Sequence, residues 1–362
     1  MGCPVASAPR PGPRGGTLHP MTQRETGPEF ECESESKSGG VACRECRWRR
    51  WVALAVPIVA LGLLAVVSGC MERLFYLPTR EATPAPTWLS PGAEVVRFES
   101  SDGTRLTGWW VPAHGVDSRG AATVLHVHGN AGSMEGHVAF VDHLPGAGFN
   151  VFLFDYRGYG ESEGTPRSRG PLVEDAKAAL QTLRAREDID TSRIALYGVS
   201  LGGAIAVLVA ADDVASGGDL RALVLESPFA SWRDVAASAL GGDPPAFWAR
   251  WLAALLIKDR TPGLTTPVEA IAGIDCPILI LHGDADGIVP ISHGRRLAAA
   301  APRATLIEFP GGDHNTLQST HPEARVRMIE FLRDALASIN RLRERAPASP
   351  VGGQSAAPTA AE

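Results

Sequence analysis

Residues 196–203, LYGVSLGG, set Ser200 inside the pattern Gly-x-Ser-x-Gly, and GESEG at 160–164 sets Ser162 inside the same pattern. A serine hydroxyl can attack a carbonyl carbon, but only when a base takes its proton and a carboxylate holds that base in the right tautomer. The pentapeptide alone does not choose, because 39 glycines in 362 residues give roughly a quarter of a match by chance. The flanks separate the two. RIALY runs directly into Gly198 and GGAIAVLVAA follows Leu201 at once. That is a strand-to-helix turn, which strains its serine outward while small residues at Gly198, Gly202 and Gly203 let the helix and strands approach. GESEG follows VFLFD through YRGY and leads into TPRSRGP, which is loop chemistry. Glu161 and Glu163 would also oppose an alkoxide at Ser162. Ser200 is the expected nucleophile, and Ser162 is expected in a surface turn.

The partners of Ser200 should stand at strand ends downstream, acid first and histidine second. Asp286 follows PILILHGD in ADGIVP, and His314 follows ATLIEFPG in GDHN. Glu226, ending ALVLE, is an alternative acid one strand earlier. Asp284 is expected to bond loop backbone, and Asp313 adjoins His314 and should point elsewhere. Asp155 is read as a loop-fixing carboxylate, and His128, His282, His293 and His321 as structural. An oxyanion needs donors. The Leu201 amide is one, and the loop HGNAG after TVLHV offers the other through Asn130, with Ala131 second.

The elements around these residues alternate. EVVRFES, a turn at Ser101-Asp102-Gly103, and RLTGWWV read as an antiparallel hairpin. ATVLHVHG, NVFLFDYRG, RIALYGVS, ALVLESP, PILILHGD and ATLIEFPG are near-continuous apolar runs, the mark of strands buried on both faces of a parallel sheet. Helical stretches separate them, among them LVEDAKAALQTLRARE and SHGRRLAAAA, and a last helix begins near Pro322. The expected fold class is α/β: a mostly parallel doubly wound sheet with an N-terminal antiparallel hairpin. Residues 231–272 break the alternation and carry Trp232, Phe247, Trp248 and Trp251. They are the natural place for a small cap over the site.

Hydrophobic residues at 44% and charged residues at 20% suit a globular domain with a sizeable core. Beyond residue 70 the chain holds 26 Lys/Arg against 34 Asp/Glu and no basic stripe, which argues against nucleic acid as a partner. Residues 1–50 have too little apolar periodicity to fold and are read as disordered or absent from the mature protein, with Val41 or a nearby codon as a candidate start. Arg44, Arg47, Arg49 and Arg50 then precede an uncharged apolar run from Trp51 to Val67 that ends in VSGC. The run reads as an uncleaved membrane helix that tolerates Pro57, or as a lipoprotein signal whose cleavage leaves a lipidated Cys70. Under either reading the arginines stay in the cytosol and the following domain lies on the non-cytoplasmic side. Cys43 and Cys46 lack the second ligand pair that a zinc site needs. Cys276 is expected to pack as a small apolar side chain. No metal or cofactor is expected.

The motifs HVHGNAGSMEGH, FDYRGYGESEG, YGVSLGG, ESPFAS, HGDADGIVP and GGDHN together resemble the α/β-hydrolase family over about 250 residues, and within it the membrane-anchored alpha/beta-hydrolase-domain subgroup. Animal members of that subgroup include protein depalmitoylases. The resemblance implies nucleophile, acid and base at Ser200, Asp286 and His314, on an α/β-hydrolase domain spanning 71–345 between an anchor or signal at 51–70 and a disordered tail at 346–362. The resemblance does not fix the substrate; the activity expected from these residues is cleavage of a carboxylic ester or thioester in a small-molecule or lipid-like substrate, through an acyl-enzyme. The alternatives are a peptidase and a non-catalytic binding protein on a hydrolase scaffold.

Overall fold

Residues buried on both faces of a sheet leave no polar alternation, and that is what the central strands show. The computed structural model describes residues 75–261 and 263–337, together with Ala53, Val56 and Pro57. The chain divides into two units, Met1–Val56 and Pro57–Glu362. Of the first only Ala53 and Val56, both helical, are described.

In chain order the second unit forms β1 (Leu77–Pro78), β2 (Glu94–Glu99), β3 (Arg105–Val111), β4 (Ala122–Val127), β5 (Ala131–Gly132), β6 (Phe149–Phe154), α1 (Arg169–Arg184), β7 (Ile194–Val199) and α2 (Leu201–Ala215). It continues with β8 (Ala222–Glu226), α3 (Trp232–Gly241), α4 (Phe247–Leu256), α5 (Pro267–Ala270), β9 (Ile278–Gly283), α6 (Ile291–Ala300), β10 (Ala304–Phe309), α7 (Leu317–Thr320) and α8 (Glu323–Ala335). Eight strands make one sheet in the order β10-β9-β8-β7-β4-β6-β3-β2. β3 is antiparallel to both neighbours, and from β6 to β10 every pair is parallel. The expected hairpin feeding a doubly wound sheet is what the chain builds.

Every residue of β4, β6, β7, β8 and β9 is buried, whereas the edge strand β10 is only partly so. Alternate residues point to opposite faces. Leu125, Leu196 and Leu223 therefore join α1 and α2 in one core cluster, and Val124, Tyr197 and Val224 join Met328 and Leu332 of α8 in another. α2 is buried from Leu201 to Ala210, which explains its lack of a polar face.

Two features depart from the sequence reading. The two-residue strands β1 and β5 pair in parallel, Leu77 with Ala131 and Pro78 with Gly132, a contact no local pattern announces. Ser162 is buried rather than at a surface turn: its Oγ donates to the Asp155 carbonyl at 2.7 Å and accepts from the Thr107 amide at 2.9 Å. That hydroxyl stitches the β6 loop to β3. Ser162→Ala leaves both backbone groups short of a partner, so we expect a stability loss of about 1–3 kcal/mol by urea unfolding, with activity retained at temperatures where the variant stays folded.

The arginine cluster, Cys43, Cys46, Cys70, the tail from 346 and all of the apolar run except Ala53, Val56 and Pro57 lie outside the described residues. Among the described residues no helix is long and apolar enough to cross a membrane, and no group of three or more His, Cys, Asp or Glu could hold a metal ion. Cys276 is buried, and burial pushes its thiol up to about 11.

Candidate active site

Ser200 occupies the turn between β7 and α2 with φ 54° and ψ −114°. A β-substituted residue is rarely found there, and the surrounding structure must hold it in place. Two contacts do so: its amide donates to the Glu226 carbonyl at 2.9 Å, and its carbonyl accepts from the Ala204 amide at 3.2 Å. The turn closes only with glycine nearby, since a Cβ at Gly202 would run into the carbonyl oxygens of Val127 and His128. Ser200 is partly exposed between buried Val199 and Leu201, and its side chain makes no capping bond to α2. The Leu201 amide is among the first-turn donors of α2 that have no acceptor within the helix, at the positive end of its dipole.

The loops after β9 and β10 are bound to each other. Asp284 N donates to Phe309 O and Ala285 N to Gly312 O, each at 3.1 Å, and Gly311 N donates to Asp284 Oδ1 at 2.6 Å. This lacing sets Asp286 beside His314. His314 Nδ1 and Asp286 Oδ2 are 2.7 Å apart, and both residues are buried. Asp286 Oδ1 accepts the amides of Ile288 at 3.0 Å and Val289 at 2.8 Å, while His282 Nε2, bonded to Val289 O, lies 3.4 Å from Oδ2. Burial alone would raise the Asp286 carboxyl. The bonds from His282 and His314 outweigh it and hold the group well below the usual carboxylate range. A carboxylate that stays ionised beside Nδ1 leaves Nε2 as the ring's working nitrogen.

The alternative acid is occupied elsewhere. Glu226 accepts from the Tyr197 hydroxyl and from Gln318 Nε2, and Oε1 has no hydrogen-bond partner among the described residues. Burial raises its carboxyl above the ordinary value, against the pull of those two bonds and of the His314 charge. The structure thus joins Asp286 to His314 and sets Ser200 at the same edge of the sheet, at the end of β7 with β8 between it and β9, without a Ser200–His314 hydrogen bond. Such bonds are commonly long before substrate arrives.

The loop after β4 is pinned at its carbonyls. Tyr156 OH donates to His128 O at 3.0 Å, Tyr159 OH to Asn130 O at 2.9 Å, and Thr79 N to Gly132 O at 2.8 Å, while His128 Nδ1 bonds Gly129 O at 2.7 Å. Because the peptide unit is planar, fixing the carbonyls of Gly129 and Asn130 fixes the amides of Asn130 and Ala131. The Asn130 side chain reaches away, donating to Phe75 O at 2.5 Å. Asp155 accepts the Met134 amide at 2.7 Å, and burial pushes its carboxyl up to about 7. His128 is fully buried, and burial lowers its imidazole well below the ordinary range. His293 accepts from the Ala230 amide and is lowered to about 4 by burial and by the Arg296 charge. His321 bonds Pro310 O, and Asp313 is exposed.

Three supports escaped the sequence reading. His282 touches the acid from four residues earlier, Tyr159 holds Asn130, and Gln318 holds Glu226. Only His282 carried a signal, its spacing to Asp286 across a tight turn. A cleft of about 420 Å3 opens at the other end of the sheet, lined by Val116, Phe149, Arg193 and Leu336 among others, and touches none of these groups. Ligands of open α/β sheets bind at the carboxyl ends of the strands, so the side chains at those ends define the site.

Residues 118–268 match the family described as serine aminopeptidase, S33. The chain is 34% identical over 290 residues to YfhR of Escherichia coli K12, covering 76% of this chain and 94% of that protein. It is 36% identical over 273 residues to the alpha/beta hydrolase domain-containing protein WAV2 of Arabidopsis thaliana, covering 71% and 85%. The Pyrococcus furiosus esterase Pf2001 shares the fold with a TM-score of 0.57 at 22% identity, over 73% of this chain and 98% of that one. By its sheet order, its strained serine turn and these relatives, the chain belongs to the α/β-hydrolase family.

Proposed function

We propose that the protein is a serine hydrolase acting on carboxylic esters or thioesters. Ser200 Oγ attacks the acyl carbonyl as His314 Nε2 takes its proton, Asp286 steadies the imidazolium, and the amides of Leu201 and Asn130 receive the oxyanion. His314 then gives the proton to the departing alcohol or thiol. Water, deprotonated by His314, releases the acid from the acyl-enzyme. The observation that carries this reading is the 2.7 Å contact between Asp286 and His314, made by the loops that end β9 and β10, of which β9 adjoins β8, the strand bearing the strained serine's backbone partner, Glu226.

A second reading, peptidase, is favoured by the family description matched over 118–268. An assay of the purified protein against acyl esters and thioesters of graded chain length, beside aminoacyl amides, separates them. We expect kcat/KM for the best ester or thioester to exceed that for the best amide by at least about tenfold. The reverse order assigns the protein to the peptidases.

We further propose that the run Trp51–Val67 ties the chain to a membrane, with the hydrolase domain on the non-cytoplasmic side. If VSGC is a processing site, Cys70→Ala blocks maturation and raises the apparent mass. If the helix is retained, the variant matches the parent chain. A full-length chain found free in the cytosol contradicts both.

A further inference from the structure

Helix α4 has its amphipathicity turned inside out. Its buried residues are Ala249 and Ala253, while Phe247 is 86% and Trp251 61% exposed, with Trp248 and Leu255 exposed beside them. At 3.6 residues per turn these four fall within a sector of about 100°. Exposed Leu240 of α3 adds to the apolar surface. Single exposed apolar residues are ordinary, but a contiguous aromatic face marks an interaction surface. From Pro244 to Lys258 the only charged residues are basic, Arg250 and Lys258, both exposed, with Asp243 and Asp259 flanking the stretch.

The position of this face in the fold narrows what covers it. The α3–α4 pair leaves the sheet at the carboxyl end of β8, the edge that carries Ser200 and the loop of Asn130. It is held at that edge by Arg169, the first residue of α1, which donates to the carbonyls of Lys258 and Asp259, and by the 2.6 Å pair of Arg296 with Asp234. The chain joins the fold at the same edge, because Phe75 O accepts from Asn130 and β1 pairs with β5. Seven residues separate Val67, the end of the apolar run, from Phe75. They span at most about 25 Å at 3.3–3.6 Å per residue.

We propose that α4 is an interfacial helix that lays Phe247, Trp248, Trp251 and Leu255 into the lipid leaflet to which the N-terminal run ties the chain. Indole and phenyl rings suit the headgroup boundary, and Arg250 and Lys258 suit the phosphates of anionic lipids. The inference rests on the membrane-anchor reading above. It turns the edge of Ser200 toward the bilayer, so the acyl chains reaching it come from the leaflet.

Tryptophan depth tests this on the full-length protein in phosphatidylcholine/phosphatidylglycerol vesicles with brominated acyl chains. We expect bromine to quench part of the emission, that part to shrink in Trp248→Phe/Trp251→Phe, which removes the reporters and keeps the face apolar, and to shrink also in Phe247→Ser/Leu255→Ser, which keeps the reporters and weakens docking. Bromine quenching equal in all three proteins, with Trp248 and Trp251 open to aqueous iodide on sedimenting vesicles, overturns the docking and leaves the anchor standing. A chain that does not sediment with vesicles overturns both. If Phe247→Ser/Leu255→Ser instead turns a detergent-solubilised dimer into a monomer with bromine quenching unchanged, the face joins two copies and the proposal falls.

Discussion

Under the proposed mechanism, Ser200→Ala is expected to lower kcat on the best acyl ester by about 10⁶-fold, the scale on which a serine nucleophile is lost from an intact constellation. Any residual rate would come from the proposed oxyanion amides, those of the loop after β4 included, and from substrate binding. The fold survives the change, because what fixes the turn is backbone: the Ser200 amide on Glu226 O, and the approach of Gly202 to Val127 and His128. Thermal unfolding of the variant should therefore stay near that of the parent while single-turnover acylation vanishes. A loss under about tenfold would remove Ser200 from the chemistry.

Asp286→Asn is expected to lower kcat by about 10⁴-fold, and Glu226→Gln by less than about tenfold. The asparagine still accepts the amides of Ile288 and Val289 through its oxygen. It presents an amide N–H where His314 Nδ1 needs an acceptor, so the ring is held in the wrong tautomer. Glu226 bonds Tyr197 and Gln318 instead of His314. The Asp286 carboxyl is depressed in the folded protein, so its stabilisation is present above the ordinary carboxylate value and is lost as pH falls through the folded one. Asp286→Asn should flatten that acid limb of the stability curve. The opposite ranking of the two variants would move the acid to β8.

Much of this was legible because the information was local. Six apolar runs became six parallel strands, five of them buried along their whole length and the sixth, β10, a partly buried edge. The serine turn was readable because Gly198 is demanded by contacts within a few residues, Gly202 and Gly203, whereas the demand on Gly202 comes from the distant carbonyls of Val127 and His128. Legibility ended where a distant partner decides. Ser162 between two glutamates reads as surface, yet Thr107, 55 residues earlier, takes its hydroxyl inside. In FWARWLAALL the large residues should face inward by the usual rule. They face out because α3 and α4 approach so closely that a Cβ on Gly241 would press on Ala249, and only alanines fit the seam. β1 has two residues and no pattern, and the distant loop of Asn130, Ala131 and Gly132 gives it a place.

The most direct test of Ser200 as the working nucleophile is covalent. A fluorophosphonate that reacts only with a base-activated hydroxyl is added to the purified protein, and the modified peptide is mapped by mass spectrometry. The expected result is a single adduct on Ser200, absent in Ser200→Ala and slowed in Asp286→Asn. An adduct on Ser162, or labelling that persists in Ser200→Ala, would contradict it.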